Sequence, residues 1–206
     1  IAYRINGKTT YAMEGSIFIA GAGVQWLRDK LNFFKKASET ESIVKSLKDN
    51  KGVYLVPAFT GLGAPYWDAN ARGVLSGLTR DTGPKEIIRA TIESVAYQTY
   101  DLFEAMKHDG LRPKLVKVDG GMVMNNWFSQ FLSDVVDIKV LRPKVQETTA
   151  LGAAFMAGLQ IGVYKSLKDI SKNWHLDKNF TPKISSKIRN KLVKGWSAAI
   201  KKTLTK

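Results

Sequence analysis

Cysteine is absent from this 206-residue chain, which excludes a disulfide framework, a thiolate zinc site and a cysteine nucleophile. Imidazole is nearly absent: only His108 and His175 occur, 67 residues apart, so a histidine-rich metal site is excluded as well. No long apolar run occurs. The longest, within Ile17–Leu27, is too short and too glycine-rich to span a bilayer, and no charged-then-apolar signal segment opens the chain. These absences lead to the expectation of a cytoplasmic protein without membrane insertion. Acidic residues are few: 32 Lys and Arg face 18 Asp and Glu, a formal net charge of +14. Hydrophobic residues make up 44%, ordinary globular usage, so a packed core is expected.

The positive charge is uneven. Residues 165–206 carry +10 and residues 1–164 only +4. A basic end can mark nucleic acid, a membrane surface or an acidic partner. It also arises when lysines solvate the outer face of a helix. In Ser185–Lys206 the apolar residues Ile188, Leu192, Val193, Trp196, Ala199, Ile200 and Leu204 recur at helical spacing with lysines between them. No nucleic-acid motif accompanies them, so the solvated face is the reading adopted and no nucleic-acid partner is expected.

Along the chain, Tyr3–Ile5 and Thr9–Met13 flank Asn6-Gly7, the favoured dipeptide of a two-residue hairpin turn. Helices are expected over Ser16–Phe34 and Ser38–Asp49, the second opened by a capping box of Ser38 and Glu41. A buried strand is expected at Val53–Phe59, followed by an irregular Gly- and aromatic-rich stretch, Thr60–Gly83. Pro84 then opens a helix to about His108. Strands at Leu115–Val118 and Ile138–Leu141 alternate with helices at Asn125–Val136 and Thr148–Val163, and a short helix is expected at Ser166–Asn173. That alternation predicts an α/β fold with at least part of a parallel sheet.

Two glycine clusters carry the candidate chemistry. Val118-Asp119-Gly120-Gly121 ends a strand and leads into a helix. Glycines there suit either close approach of a nucleotide phosphate to a helix N-terminus or a plain strand-to-helix turn. Gly21 and Gln25 lie four residues apart on one helix face, where a missing side chain admits either a ligand or a second helix. For Gly152, Ala153 and Gly158 helix packing is the reading kept. Gly61-Leu62-Gly63-Ala64-Pro65 lacks the third glycine and the following helix of a dinucleotide fingerprint, and no Walker-type phosphate loop occurs.

Taken together, "YAMEGSIFIAGAGVQWLRDKL", "GVYLVPAFTGLGAPYWDANARGVLSGLTR", "IIRATIESVAYQTYDLFEAM", "VDGGMVMNNWFSQFLSDV" and "ETTALGAAFMAGLQIGVY" closely resemble the C-terminal half of glycerol kinases. These belong to the carbohydrate kinase family known by the letters FGGY. The family's second signature is met from Gly73 through Gly77-Leu78, Glu86-Ile87, Ala90 and Ile92-Glu93. The resemblance implies the C-terminal domain of the actin-like ATPase (ribonuclease H-like) fold over residues 1–206, truncated at its N-terminal strands and ending in a basic helical segment, 165–206. It implies ATP-dependent phosphorylation of glycerol, with ATP or ADP carrying Mg²⁺. By motif, Gly21, Gln25, Gly121 and Asn125 correspond to nucleotide contacts.

No catalytic or metal-binding residue is assigned. Asp68, Asp101 and Asp119 occupy other motifs than that of the family's general base, which lies with the glycerol contacts in the N-terminal half. The chain is therefore expected to be a fragment, inactive alone, that pairs with a separate N-terminal half or forms a homo-oligomer. Another FGGY sugar kinase, or a non-catalytic remnant reused as a basic interaction module, are the competing readings. Some bacterial relatives dock a sugar-transport phosphocarrier near the C-terminus. Phe180, Pro182, Ile184 and Arg189 keep part of that pattern, but Lys183 and Ser185 depart from it, so docking is not expected.

Overall fold

A computed structural model describes residues 1–205; the last residue of the expected terminal helix and basic segment lies outside them. The organising element is α3 (Pro84–His108), 25 residues long and buried on nearly every side from Ile88 to Gln98. Its start is fixed locally. Pro84 occupies the first turn, where its missing N–H costs nothing, and the Glu86 carboxylate reaches back to accept the Gly83 N–H at 3.0 Å.

Helices α1 (Gly21–Asp29), α2 (Glu39–Lys45) and α4 (Asn126–Val136) pack around α3. Strand β3 (Tyr54–Val56) lies against it and pairs antiparallel with β4 (Val74–Ser76). A second sheet holds β5 (Leu115–Lys117), β6 (Lys139–Pro143) and β7 (Leu176–Phe180) in that order. Here β5 and β6 are parallel with α4 as their crossover, which meets the expected βαβ alternation, while β7 returns antiparallel. The hairpin of β1 (Tyr3–Ile5) and β2 (Lys8–Thr10) turns at Asn6 and Gly7, both at positive φ, as Asn-Gly turns require. Helices α5 (Thr148–Gln160), α6 (Leu167–Ser171) and α7 (Ser186–Thr203) complete the order. No helix among the described residues is long and apolar enough to cross a membrane.

Several boundaries differ from expectation. The first helix is confined to Gly21–Asp29: Ile19 gives its carbonyl to the Gln98 side chain at 3.2 Å, and Asn32, at φ 55°, lies outside helical geometry. The second stops at Lys45, because Lys51 and Gly52 turn at positive φ and Asp49 caps the Lys51 N–H. Ser38 makes no side-chain cap bond, so the capping box is not formed. Strands β4 and β7 were not anticipated. The first is only three residues long, and the second reads as polar because Phe180 alone is buried in it.

The basic α7 resolves as a one-sided helix. Trp196, Ala199 and Ile200 are buried while Lys187, Lys191, Lys194, Lys201 and Lys202 remain exposed, the arrangement of a solvated face. Phe180 is buried, and Arg189 donates to the Asp134 carbonyl (2.8 Å) and to Asp137 (2.6 Å), so both are engaged within the fold. In α5, Gly158 packs on the Tyr164 ring, but a side chain at Gly152 would meet nothing within 4 Å. Tyr164 lies just beyond the end of the same helix and Ala153 is exposed, so the helix-packing expectation is not met at Gly152, Ala153 or Gly158.

Trp196 also joins α7 to a partly buried carboxyl on α3. Asp101 accepts the indole N–H at 2.6 Å and the Tyr66 hydroxyl at 2.8 Å. Burial outweighs these bonds and pushes its pKa up to about 6. Because the folded value lies above the unfolded one, the folded state holds the proton more tightly. The associated stability is complete below pH ~4 and is lost as pH rises through about 6. Asp101→Asn keeps an acceptor without a charge to desolvate. Its stability relative to the parent chain is expected to increase between pH 4 and 7 by on the order of 2 kcal/mol, read from urea unfolding at each pH. A flat difference would refute that assignment.

Candidate functional site

Four short segments meet at a cavity of about 470 Å³: one from each of α1 and α2, Ile92 of α3, and the 3-10 turn Gly121–Met124 with Asn125 behind it. Gly21, Gln25, Gly121 and Asn125, the residues singled out from sequence, all line it, although residues 21 and 121 are a hundred positions apart.

Each wall follows from its sequence. On α1, Gly21, Gln25 and Arg28 fall on one face at i, i+4 and i+7. The two glycines of this helix do different work. A side chain at Gly23 would meet Thr91 of α3 at 3.0 Å, so that glycine lets the helices close up. At Gly21 it would meet nothing within 4 Å, so no protein group claims the space. No side chain caps α1 either; the Gly23 N–H bonds the Ala20 carbonyl at 3.0 Å, which leaves the N–H groups of Gly21 and Ala22 to water or a ligand.

The opposite wall begins at Gly120, whose φ of 84° suits glycine, and Gly121 is again open on its Cβ side. Asn125 has a structural duty besides lining the cavity. Its side-chain oxygen accepts the Phe128 N–H at 3.0 Å as the N-cap of α4, and its amide donates to Thr40 at 3.3 Å. Arg142, almost fully buried on β6, holds this wall from behind. It donates to the carbonyls of Val123 (2.7 Å) and Met124 (3.3 Å) and to the side chains of Asn126 (3.3 Å) and Asp177 (2.7 Å).

From α2 come Thr40 and Glu41, and from the residue before it Ser38. Glu41 does not cap its own helix. Its carboxylate accepts the backbone N–H of Asn126 at 3.1 Å and pairs with Lys45 at 2.5 Å. Burial raises its pKa, but Lys45 and the Asn126 donors outweigh that and hold it below the usual range, so it is ionised at neutral pH. Sequence reasoning missed Arg28, Thr40 and Arg142 as site residues and misassigned Glu41. The roles of Thr40, Glu41 and Arg142 depend on contacts across 85 residues between α2 and the start of α4, and across 16 to 35 residues around Arg142, for which no local spacing is a signal.

The chemistry of the walls is mixed. Val24, Ala37, Ile92, Met122 and Met124 offer apolar surface suited to a flat ring, with polar groups at a few points. Volume and lining are those of a small-ligand site. Among the described residues no group of three or more His, Asp or Glu is placed to hold a metal ion.

Residues 3–161 match the FGGY family of carbohydrate kinases, C-terminal domain. The chain is 54% identical to glycerol kinase 1 of Pseudomonas aeruginosa over 202 residues, 98% of this chain and 41% of that protein. It is 55% identical to the glycerol kinase of Alcanivorax borkumensis over 201 residues, 97% of this chain and 40% of that one. Among solved structures, Plasmodium falciparum glycerol kinase with ADP superposes with a TM-score of 0.83 at 36% identity, covering 92% of this chain and 38% of the other. A xylulose kinase from Lactobacillus acidophilus, at 24% identity and a TM-score of 0.75, shares the fold. The chain thus spans about two fifths of the length of these relatives. On its own sequence and fold, this chain belongs to the FGGY family of carbohydrate kinases, matching its C-terminal domain.

Proposed function

We propose that this chain is the nucleotide-binding part of a glycerol kinase, which transfers the terminal phosphoryl group of ATP to glycerol and yields ADP and glycerol 3-phosphate. The observation that carries the reading is the convergence of Gly21, Gln25, Gly121 and Asn125 on one cavity whose glycine positions no protein group fills. The resemblance to glycerol kinases at 54–55% identity, against 24% for the xylulose kinase, favours glycerol over a pentulose.

In this reading the N–H groups of Gly21 and Ala22 at the start of α1, where the helix dipole favours an anion, and that of Gly121 receive phosphate oxygens; the Gly120 N–H is held by the Gln146 carbonyl at 3.3 Å. The apolar wall takes the base. Gln25 and the free amide hydrogen of Asn125 contribute directed hydrogen bonds. Mg²⁺ arrives on the nucleotide and neutralises charge that develops on the transferred group, which in phosphoryl transfer is the main catalytic requirement beside positioning. The proton acceptor for the glycerol hydroxyl is not among the cavity residues; we assign it to the N-terminal part of the family's fold, supplied by a partner chain or a longer form. The complete enzyme is cytoplasmic in this reading.

Thermal melting of the purified chain with and without Mg-ADP tests the proposal. A ligand of the folded form alone adds about 2.7 kcal/mol at a hundredfold excess over its dissociation constant. The expected outcome is an upward shift of the midpoint with no glycerol phosphorylation by the chain alone. A midpoint that ADP leaves unmoved overturns the nucleotide site, and turnover by the isolated chain overturns its dependence on a second part.

A further inference from the structure

Glu41 is the only carboxylate among the cavity's lining residues, and it is held in place rather than free. One oxygen takes the Asn126 N–H at 3.1 Å; the other takes Lys45 at 2.5 Å and the Asn126 side-chain amide at 3.4 Å. Three donors leave one of the carboxylate's roughly four lone-pair positions open, in a residue that lines the cavity. The cation on α1, Arg28, donates through Nε and Nη2 to Asp29 at 2.6 and 3.0 Å.

Position along the wall decides what meets this carboxylate. Asn125 lies four residues beyond Gly121, and Glu41 is bonded to the next residue, Asn126. The 3-10 turn from Gly121 to Met124 covers about 6 Å at about 2 Å of rise per residue and the extended Asn125 adds about 3 Å, which puts the segment that Glu41 holds beyond the sugar of a nucleotide whose phosphates sit at the glycine. A purine reaching that point presents its 6-substituent, an amine that donates or a carbonyl that accepts. A fixed, acceptor-only carboxylate bonds the first and repels the second.

We propose that Glu41 sets the base specificity of the site: its carboxylate accepts a hydrogen from the 6-amino group of adenine and excludes 6-oxo purines such as guanine and hypoxanthine. The inference rests on the nucleotide reading above and names a specificity residue within it. Lys45 and Asn126 act by position. They stop the carboxylate from swinging away to admit a carbonyl.

Calorimetric titration of the chain with the magnesium complexes of ADP, IDP and 2′-deoxyADP tests this, since IDP differs from ADP in carrying a 6-oxo group where ADP has the amine. The parent chain is expected to bind ADP about tenfold to a hundredfold more tightly than IDP, the range of a hydrogen bond to a charged group. Glu41→Gln, whose amide can present either a carbonyl or an N–H, is expected to bring that ratio within about threefold, while the ratio of ADP to 2′-deoxyADP stays as it was. Equal binding of ADP and IDP by the parent chain overturns the proposal. So does a Glu41→Gln variant that keeps the preference, or one that changes the ribose ratio instead, which would place the carboxylate on the sugar. Should Glu41→Gln fail to melt cooperatively, Glu41→Asp keeps the charge but draws it back, and an unchanged ratio in that variant overturns the proposal equally. Failure of every purine diphosphate to bind overturns the nucleotide reading itself, and this inference falls with it.

Discussion

Replacing Glu93 with alanine is expected to remove about 3–5 kcal/mol of stability and to lower the melting midpoint by about 10 °C or more. Glu93 is 1% exposed in the middle of α3. Its carboxylate accepts from Arg89 at 2.7 Å, Asn50 at 2.9 Å and Tyr97 at 3.2 Å. Arg89 in turn donates to the Leu47 carbonyl at 2.6 Å and lies 4.9 Å over the Trp127 ring. One side chain therefore ties α3 to the loop after α2 and, through Arg89, to α4. Burial raises the pKa of this carboxyl and the three donors oppose the rise. Truncation leaves a nearly buried guanidinium without its anion and two donors without an acceptor, which is why the loss exceeds the net worth of the pair itself. Glu93→Gln, which still offers a carbonyl to Asn50 and Tyr97, is expected to lose less. Urea unfolding at pH 7 separates the two; an alanine variant within 1 kcal/mol of the parent would show that the network contributes little.

Trp196→Ala is expected to cost a comparable 3–5 kcal/mol by opening a cavity at the largest fully buried side chain. The indole stacks on Tyr97 at 5.3 Å between ring centroids, Tyr97 meets Phe131 edge-on at 5.6 Å, and the indole N–H ends on Asp101. This aromatic column joins α7, α3 and α4, so its loss loosens the contact of α7 with β3 as well. Trp196→Phe refills most of the volume and forfeits the N–H bond, with an expected loss of about 1–2 kcal/mol. Equal losses for Phe and Ala would place the effect in the hydrogen bond rather than in the packing.

Neither Glu93 nor Trp196 declares its partner in sequence, yet each sits in an element whose existence was legible. The span of α3 is legible to both ends because its signals are local: proline at the first position, an acid at the third, and no breaker after the proline in a helix of 25 residues. The Asn-Gly hairpin and the βαβ unit of β5, α4 and β6 were legible for the same reason. β7 was not, since its inner register is filled by Phe180 alone and the remaining residues carry solvent-side polarity. The site divides along the same line. Glycines at a helix start and after a strand are visible locally, whereas Thr40, Glu41 and Arg142 acquire their places only when α2 and β6 dock on the segment around Asn125. Ser38 and Glu41 satisfied a local pattern, and tertiary contacts drew Glu41 away from it to α4.

The assembly of the cavity from residues near 25, 40 and 123 has a kinetic meaning. Closing loops of that length is entropically costly and is repaid only when the far segments are docked. A ligand that needs both long walls finds no partial site on the way to the folded state. Its stabilisation therefore falls on the escape from that state: if the nucleotide reading proposed above holds, ADP is expected to slow unfolding and to leave refolding nearly unchanged in stopped-flow traces. The lifetime of the folded chain, more than the speed at which it forms, is what a ligand of this cavity would control.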